Sequence, residues 1–160
     1  MVKIALQINA ALEGVGELKT NHPNHNFLLK LACTGCGETS EKWHDICESQ
    51  KYPGKTGRSE SNYIAKCKLC GRENNIDIIP GSNVSYSNDD QGKFKSIVTF
   101  DCRGIKPVEF TPGEGWIVTA ESGQVFENVN LTEKEWVEYD TKNQQSISIF
   151  DFESSFVNVK

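Results

Sequence analysis

The sequence predicts an all-β protein, and three observations carry that expectation. Apolar and polar residues alternate in one run after another, which is the period of a half-buried strand and not of a helix. Glycine, proline and asparagine interrupt nearly every run, as at Pro53-Gly54 and Pro112-Gly113. Two cysteine pairs share one grammar: Cys33-Thr34-Gly35-Cys36-Gly37 and Cys67-Lys68-Leu69-Cys70-Gly71, each followed directly by glycine.

Taken in order, Lys3 to Ala10 alternates and reads as a first strand. His22-Pro23-Asn24-His25-Asn26 reads as a polar turn, and Phe27 to Ala32 as a strand running into the first cysteine pair. Gln50 to Ser61 is rich in Gly, Ser and Lys and reads as a mobile loop. Asn62 to Lys66 enters the second pair, and Asn75 to Ile79 leaves it and stops at Pro80-Gly81. The polar stretch Ser82 to Gly92 reads as a connection between two halves, 1–81 and 82–160. Phe94 to Asp101, with its β-branched centre, and Ser146 to Phe152 complete the strands. Leu131 to Tyr139 offers Thr132 as a helix N-cap with Glu135 three residues on. The β-preferring Trp136, Val137 and Tyr139 favour an extended reading instead. A faint echo relates Thr39–Asp45 to Thr132–Glu138, and Phe27–Cys33 to Phe94–Cys102.

At 160 residues the chain can bury a core of its own, so metal need not supply all of its stability. The net charge of −5 is uneven: residues 1–80 carry +1 and residues 81–160 carry −6. That balance argues against a nucleic-acid partner. Lys51, Lys55, Arg58, Lys66, Lys68 and Arg72 do lie close together with Tyr52 and Tyr63 between them. A solvated loop in an acidic protein is the preferred account of that stripe. The N-terminus lacks the apolar stretch of a signal peptide, and no run approaches a membrane span. The expected location is cytoplasmic, with the nucleus as the alternative. Six cysteines in such a setting point to metal and free thiols rather than disulfides.

In each cysteine pair, two intervening residues form a tight turn that brings both sulfurs to one side. The glycine after it lets the backbone return with φ > 0. Two such knuckles supply four soft ligands, so Cys33, Cys36, Cys67 and Cys70 are expected to hold one zinc ion per chain. Four protein thiolates fill a tetrahedron and leave no position for water, which makes a structural metal the default. Cys47 and Cys102 are left over and read as buried thiols. In Asp101-Cys102-Arg103, the neighbouring arginine could instead lower the Cys102 pKa and make it reactive. His22, His25 and His44 read as surface groups, because four cysteines already saturate one zinc.

The chain resembles the eukaryotic family of CXXC-motif-containing zinc-binding proteins over essentially its full length. The resemblance rests on Lys3-Ile4-Ala5-Leu6, on Cys33-x-x-Cys36-Gly37-Glu38 with Lys42-Trp43, and on Lys66-Cys67-Lys68-x-Cys70 with Arg72-Glu73-Asn74. Cys102-Arg103-Gly104, Glu121-Ser122-Gly123 and Glu135-Trp136 extend it through the second half. The likeness implies zinc on Cys33, Cys36, Cys67 and Cys70. It also implies an all-β fold of two related halves that mixes sandwich and barrel features. No enzymatic activity is established for the family, so the resemblance supplies none. The expected function is a non-enzymatic zinc-binding interaction module, monomeric, with an unidentified protein partner and no membrane. Two alternatives stand beside it: a thiol enzyme of the methionine-sulfoxide-reductase kind using Cys102, and a metal-handling protein.

Overall fold

A computed structural model of the protein describes residues 2–54 and 59–160. Its strands are β1 (Val2–Glu13), β2 (Val15–Lys19), β3 (Phe27–Cys33), β4 (His44–Ile46), β5 (Tyr52–Pro53), β6 (Glu60–Ser61), β7 (Tyr63–Lys66) and β8 (Glu73–Ile78). They continue with β9 (Tyr86–Ser87), β10 (Lys95–Arg103), β11 (Ile105–Thr111), β12 (Trp116–Ala120), β13 (Val125–Val129), β14 (Trp136–Asp140) and β15 (Gln145–Val159). Among the described residues the only helical turn is a 3-10 turn at Asn88–Asp90. The chain is all-β, and every strand read from alternation is present. Leu131–Glu135 is a turn and β14 starts at Trp136, in keeping with the extended reading.

The strands form a six-stranded sheet in the order β14-β15-β1-β10-β8-β7, which curls into a half-barrel. A three-stranded sheet β11-β3-β4, a four-stranded sheet β13-β12-β2-β9 and the ribbon β5-β6 complete the fold. All pairings are antiparallel. Each of the three larger sheets takes strands from both sides of residue 81. The central strands β1 and β10 pair from Val2↔Cys102 to Ile8↔Lys95. Strict alternation makes one face of each apolar. Ile4, Leu6, Ile8, Ala10 and Leu12 are buried from β1, and Val98, Phe100 and Cys102 from β10. Trp116, Tyr86, Leu18, Leu29, Ile76 and Ile147 fill the same core.

Both central strands then turn a corner on a single glycine. Gly14 (φ +70) passes β1 of the half-barrel to β2 of the four-stranded sheet, and Gly104 (φ +74) passes β10 to β11 of the three-stranded sheet. Only glycine takes this left-handed conformation without steric cost. A Cβ at Gly14 would stand 2.5 Å from Ile147 Cγ2, and one at Gly104 would collide with the Asn74 amide. These corners set β3, and with it the first knuckle, beside the β7–β8 hairpin that carries the second.

Two further turns meet in a similar way. One joins β12 to β13 at residues 121–124, and the other joins β14 to β15 at residues 141–144. The Gln124 side-chain oxygen accepts from the Thr141 backbone N–H at 2.9 Å and from its hydroxyl at 3.0 Å. The Ser122 hydroxyl facing Asp140 holds that carboxyl below the usual range, helped by the backbone N–H groups of Asn143 and Lys142.

The readings of the histidines and of Gln50–Ser61 need correction, whereas Cys102 is the buried thiol expected of it. His25 is not a surface group: it is 3% exposed and packs edge-on against Phe27 and Trp116 at 4.9 and 5.2 Å. Its Nδ1 accepts from the Asn21 N–H at 3.4 Å, and its buried Nε2 has no hydrogen-bond partner among the described residues. Desolvation lowers its pKa to about 4, with the Gly115 backbone pulling the other way. His44 is half-buried, its ring 5.3 Å from that of Tyr63, whereas His22 is exposed and pairs with Glu48 at 3.1 Å. Cys102 is 2% exposed, and burial, seconded by the Asp101 charge, pushes its thiol up to about 12. Arg103 therefore does not activate it. Of the Gln50–Ser61 segment, Tyr52–Pro53 pairs with Glu60–Ser61, while Lys55 and Arg58 of the basic stripe lie outside the described residues.

Candidate metal centre

β3 ends at Cys33 and the chain folds straight back. The Gly37 N–H donates to the Cys33 carbonyl at 2.8 Å, and the Cys33 N–H donates to the Glu38 carbonyl at 2.8 Å. The hairpin between β7 and β8 repeats this turn bond for bond. There the Gly71 N–H donates to the Cys67 carbonyl at 2.9 Å, and the Cys67 N–H to the Arg72 carbonyl at 2.8 Å. Gly37 (φ +81) and Gly71 (φ +74) both take the left-handed conformation expected of them. At Gly37 no atom would obstruct a side chain, so the backbone angle alone calls for glycine there.

The two turns face each other across the gap between β3 and β8. All four ligand sulfurs lie within 4.8 Å of one another, with Cys33 Sγ to Cys70 Sγ at 3.7 Å and Cys36 Sγ to Cys67 Sγ at 3.5 Å. Four thiolates at ~2.3 Å from a tetrahedral zinc would sit ~3.8 Å apart. The cluster therefore has the right size as well as the right chemistry, and could hold one zinc ion.

Backbone N–H groups converge on the sulfurs in the same pattern in both turns. Those of Cys36 and Gly35 face the Cys33 sulfur, and those of Cys70 and Leu69 face the Cys67 sulfur. The N–H groups of Glu38 and Arg72 serve the sulfurs of Cys36 and Cys70. Donors aimed at sulfur favour the thiolate. They lower the Cys33 pKa to about 6, with burial opposing and Asn74 and Cys70 adding to the effect. Cys67 moves down for the same reasons. At Cys36 the Glu38 N–H also favours the thiolate, but the nearby Cys67 sulfur, burial and the other two sulfurs outweigh it and push the thiol up to about 12. Without a cation the cluster thus favours ionisation of the first cysteine of each pair over the second. A divalent ion supplies the charge that lets all four stay deprotonated.

Two side chains brace the centre. Asn74 is buried between the Cys33 sulfur and the Gly104 corner. Its amide either donates to Cys33 Sγ at 3.6 Å or, turned over, to the carbonyls of Gly104 and Glu73 at 3.1 and 3.3 Å. The Arg72 guanidinium reaches across to the first knuckle, its Nη1 3.5 Å from where a Cβ of Gly35 would stand. That placement offsets part of the negative charge a zinc tetrathiolate carries. A charge-offsetting role is what the sequence suggests for the basic residues around the second knuckle, Lys66, Lys68 and Arg72. The role of Asn74 is not legible in the spacing of the cysteines.

Among the described residues the centre gathers all four predicted cysteines and neither of the remaining two. Cys47 is buried, with its sulfur near the Pro23 carbonyl at 3.5 Å and the Ser49 hydroxyl at 3.2 Å.

Comparison with known proteins gives one consistent picture. The family model described as "CXXC motif containing zinc binding protein, eukaryotic" matches residues 5–157. The UPF0587 protein CG4646 of Drosophila melanogaster is 52% identical over 162 residues, covering 100% of this chain and 99% of that one. The human CXXC motif containing zinc binding protein is 41% identical over 158 residues, covering 98% and 99%. Among solved structures, that of C1orf123 matches with a TM-score of 0.93 at 40% identity, covering 98% of this chain and 99% of that chain. A hypothetical protein from Plasmodium falciparum matches with a TM-score of 0.89, covering 98% and 100%; at 20% identity it speaks to the fold alone.

Proposed function

Because the chain belongs to the eukaryotic family of CXXC motif containing zinc binding proteins, we propose that Cys33, Cys36, Cys67 and Cys70 hold one structural zinc ion, and that the protein is a non-enzymatic interaction module. The observation that carries this reading is the closed set of sulfurs. Four thiolates at tetrahedral spacing leave no coordination position for water or substrate. Bound there, the metal acts as a cross-link between two hairpin turns. Around it, Asn74 and the backbone N–H groups hold the sulfurs in place, and Arg72 balances their charge. The two remaining thiols are buried, and Cys102 is far from ionising, which weighs against thiol catalysis at that residue. The family is named for zinc binding and not for an activity. An acidic chain of net charge −5 weighs against nucleic acid as the partner.

Elemental analysis of protein purified without chelator tests the metal, and the expected value is one zinc per chain. None, or two at full occupancy, would refute the site. The interaction role is tested by affinity capture from cell extract with wild type and with Cys33→Ser, read by mass spectrometry. A saturable partner set common to repeated captures is expected, and its absence would remove the role. Metal handling has one observation in its favour: Cys36 and Cys70 lie at the surface. Exchange of the bound zinc with free isotope within minutes would favour that role, and retention for hours would favour the structural one.

A further inference from the structure

The strand β15 is longer than its neighbour. β14 pairs only with residues Gln145 to Ile149, and beyond them β15 is held on one side alone, by β1. The Phe152 N–H points away from β1, to the Lys134 carbonyl at 3.4 Å. Antiparallel pairing alternates, so the backbone groups of Ser154, Phe156 and Asn158 also face away from β1. They form an open edge of five residues, ~16 Å long, with no proline in it.

That edge looks onto a second one. β11 is the outermost strand of its sheet. Cys33 and Leu31 direct their backbone bonds to Glu38 and Ser40, so Lys30 and Ala32 bond toward β11, to Glu109 and Lys106. The Pro107 carbonyl and both backbone groups of Phe110 are left facing outward. Between the two edges runs a groove of ≈ 680 Å³. Trp43 (42% exposed), Val108 (37% exposed), Phe110 and Phe156 give it apolar walls.

Its charge is one-sided. Glu109 is answered by Lys30 at 3.4 Å, and the same ammonium stands 4.9 Å over the Trp43 ring. Lys106 and Lys134 line the groove, are exposed, and form no ion pair among the described residues. A second copy of this chain pairing edge to edge would set these lysines against their own counterparts. An extended segment with carboxylates between apolar side chains would meet them with the opposite charge.

We propose that this groove is a docking site for an extended, acidic and apolar segment of a partner protein, which adds as a strand to the Ser154–Asn158 edge beside β11. The inference rests on the interaction role above and names the surface and chemistry for it. Main-chain bonds to the edge supply affinity, and Lys106, Lys134 and the aromatic walls select the sequence.

The test uses the zinc-loaded full chain and a fluorescein-labelled octapeptide of alternating glutamate and valine. Saturable anisotropy is expected, with amide shifts in ¹⁵N spectra confined to the groove, at Trp43, Lys134 and residues 106–111 and 154–158. An alternating lysine–valine octapeptide should bind at least tenfold more weakly. So should the glutamate peptide when every valine is N-methylated, since the donors on that edge of its strand are then gone. The double variant Lys106→Glu, Lys134→Glu should keep its zinc and its melt and lose affinity at least tenfold. No saturable binding up to millimolar peptide, equal binding of both peptides, or shifts elsewhere would overturn the proposal. Concentration-dependent dimerisation through this edge would overturn it in favour of a second copy. If wild type and double variant capture the same partners from extract while the peptide fails, the groove falls and the interaction role stands. If capture fails as well, both fall.

Discussion

At the turns after β3 and β7, four sulfurs stand within 4.8 Å of one another across the two loops, with Arg72 and Asn74 reaching from the second to the first. At the turns after β12 and β14, the loops meet through Gln124 and Thr141, with Ser122 facing Asp140. Both places have to hold two neighbouring hairpin turns together. The first uses a site made for a metal ion, whose apparent binding energies run to ~10–16 kcal/mol in small fingers. The second uses hydrogen bonds, of about 1 kcal/mol each where both partners are neutral. The difference shows which part of the chain can respond to metal supply and which part stays indifferent to it.

The strongest way to break this comparison is to remove a ligand. Cys33→Ser and Cys67→Ser should each abolish stoichiometric zinc. Because a folded domain already supplies part of the order, each should lower stability by about 4 kcal/mol or more, which is roughly 10 °C in Tm. Thermal melts with metal analysis check this. Unchanged zinc and an unchanged melt in either variant would mean the two knuckles do not share one ion.

The glycine corners sharpen the comparison. Gly14→Ala and Gly104→Ala both force a side chain into positive φ and against a neighbour, Ile147 in one case and Asn74 in the other. Each should cost about 2–4 kcal/mol in urea denaturation. Only Gly104→Ala should also weaken zinc, since Asn74 contacts Cys33. Competition with a chromogenic chelator measures that difference, and equal zinc affinity in the two variants would separate the corner from the metal centre.

Acid should distinguish the metal from the core. The folded-state pKa of His25 lies below its unfolded value, 6.5 against about 4, so the unfolded chain takes up the proton first. Stability from this residue is complete above pH 6.5 and falls by about 3 kcal/mol as the pH drops to about 4. His25→Phe keeps an aromatic ring against Phe27 and Trp116 and cannot take up a proton. Its stability should lack the His25 part of that fall and keep only the slope left by Cys33 and the lowered carboxyls in chelator-treated protein. A slope equal to that of wild type would assign the acid loss elsewhere. The smallest effect belongs to the metal-free turns: Gln124→Ala should cost about 1 kcal/mol in urea melts and leave zinc content untouched. A loss as large as that of Cys67→Ser would erase the contrast between the two turn pairs.

The cysteine spacing and the period of two made the fold class and the four sulfurs legible, because both are local signals. What escaped the sequence reading was decided by parity and by distance. His25 sits in a turn with three polar neighbours, yet it shares parity with the buried Phe27, Leu29 and Leu31 of the strand that follows. Cys102, read as buried, extends the buried series of Val98 and Phe100, and that series, not the adjacent Arg103, sets its environment. Asn74 and Arg72 act on a knuckle far away in sequence. Their roles appear only once Gly104 has turned β10 into β11. Trp43 and Trp136, the centre of the internal echo, stand at the head of β4 and of β14, in different sheets.

The pairing of β1 has a consequence for how the chain comes off the ribosome. Its two partners, β10 and β15, are both made after residue 90. At ~5–20 residues per second, the first apolar strand waits on the order of several seconds for the nearer partner and longer for the other. Throughout that interval Ile4, Leu6 and Ile8 are without the sheet that shelters them. Cys33, Cys36, Cys67 and Cys70 emerge well before β10 is complete, so the metal can clamp its two turns while the N-terminal strand is still unpaired. Zinc starvation would then act first on nascent chains, as a lower yield of folded protein, before it showed in molecules already folded.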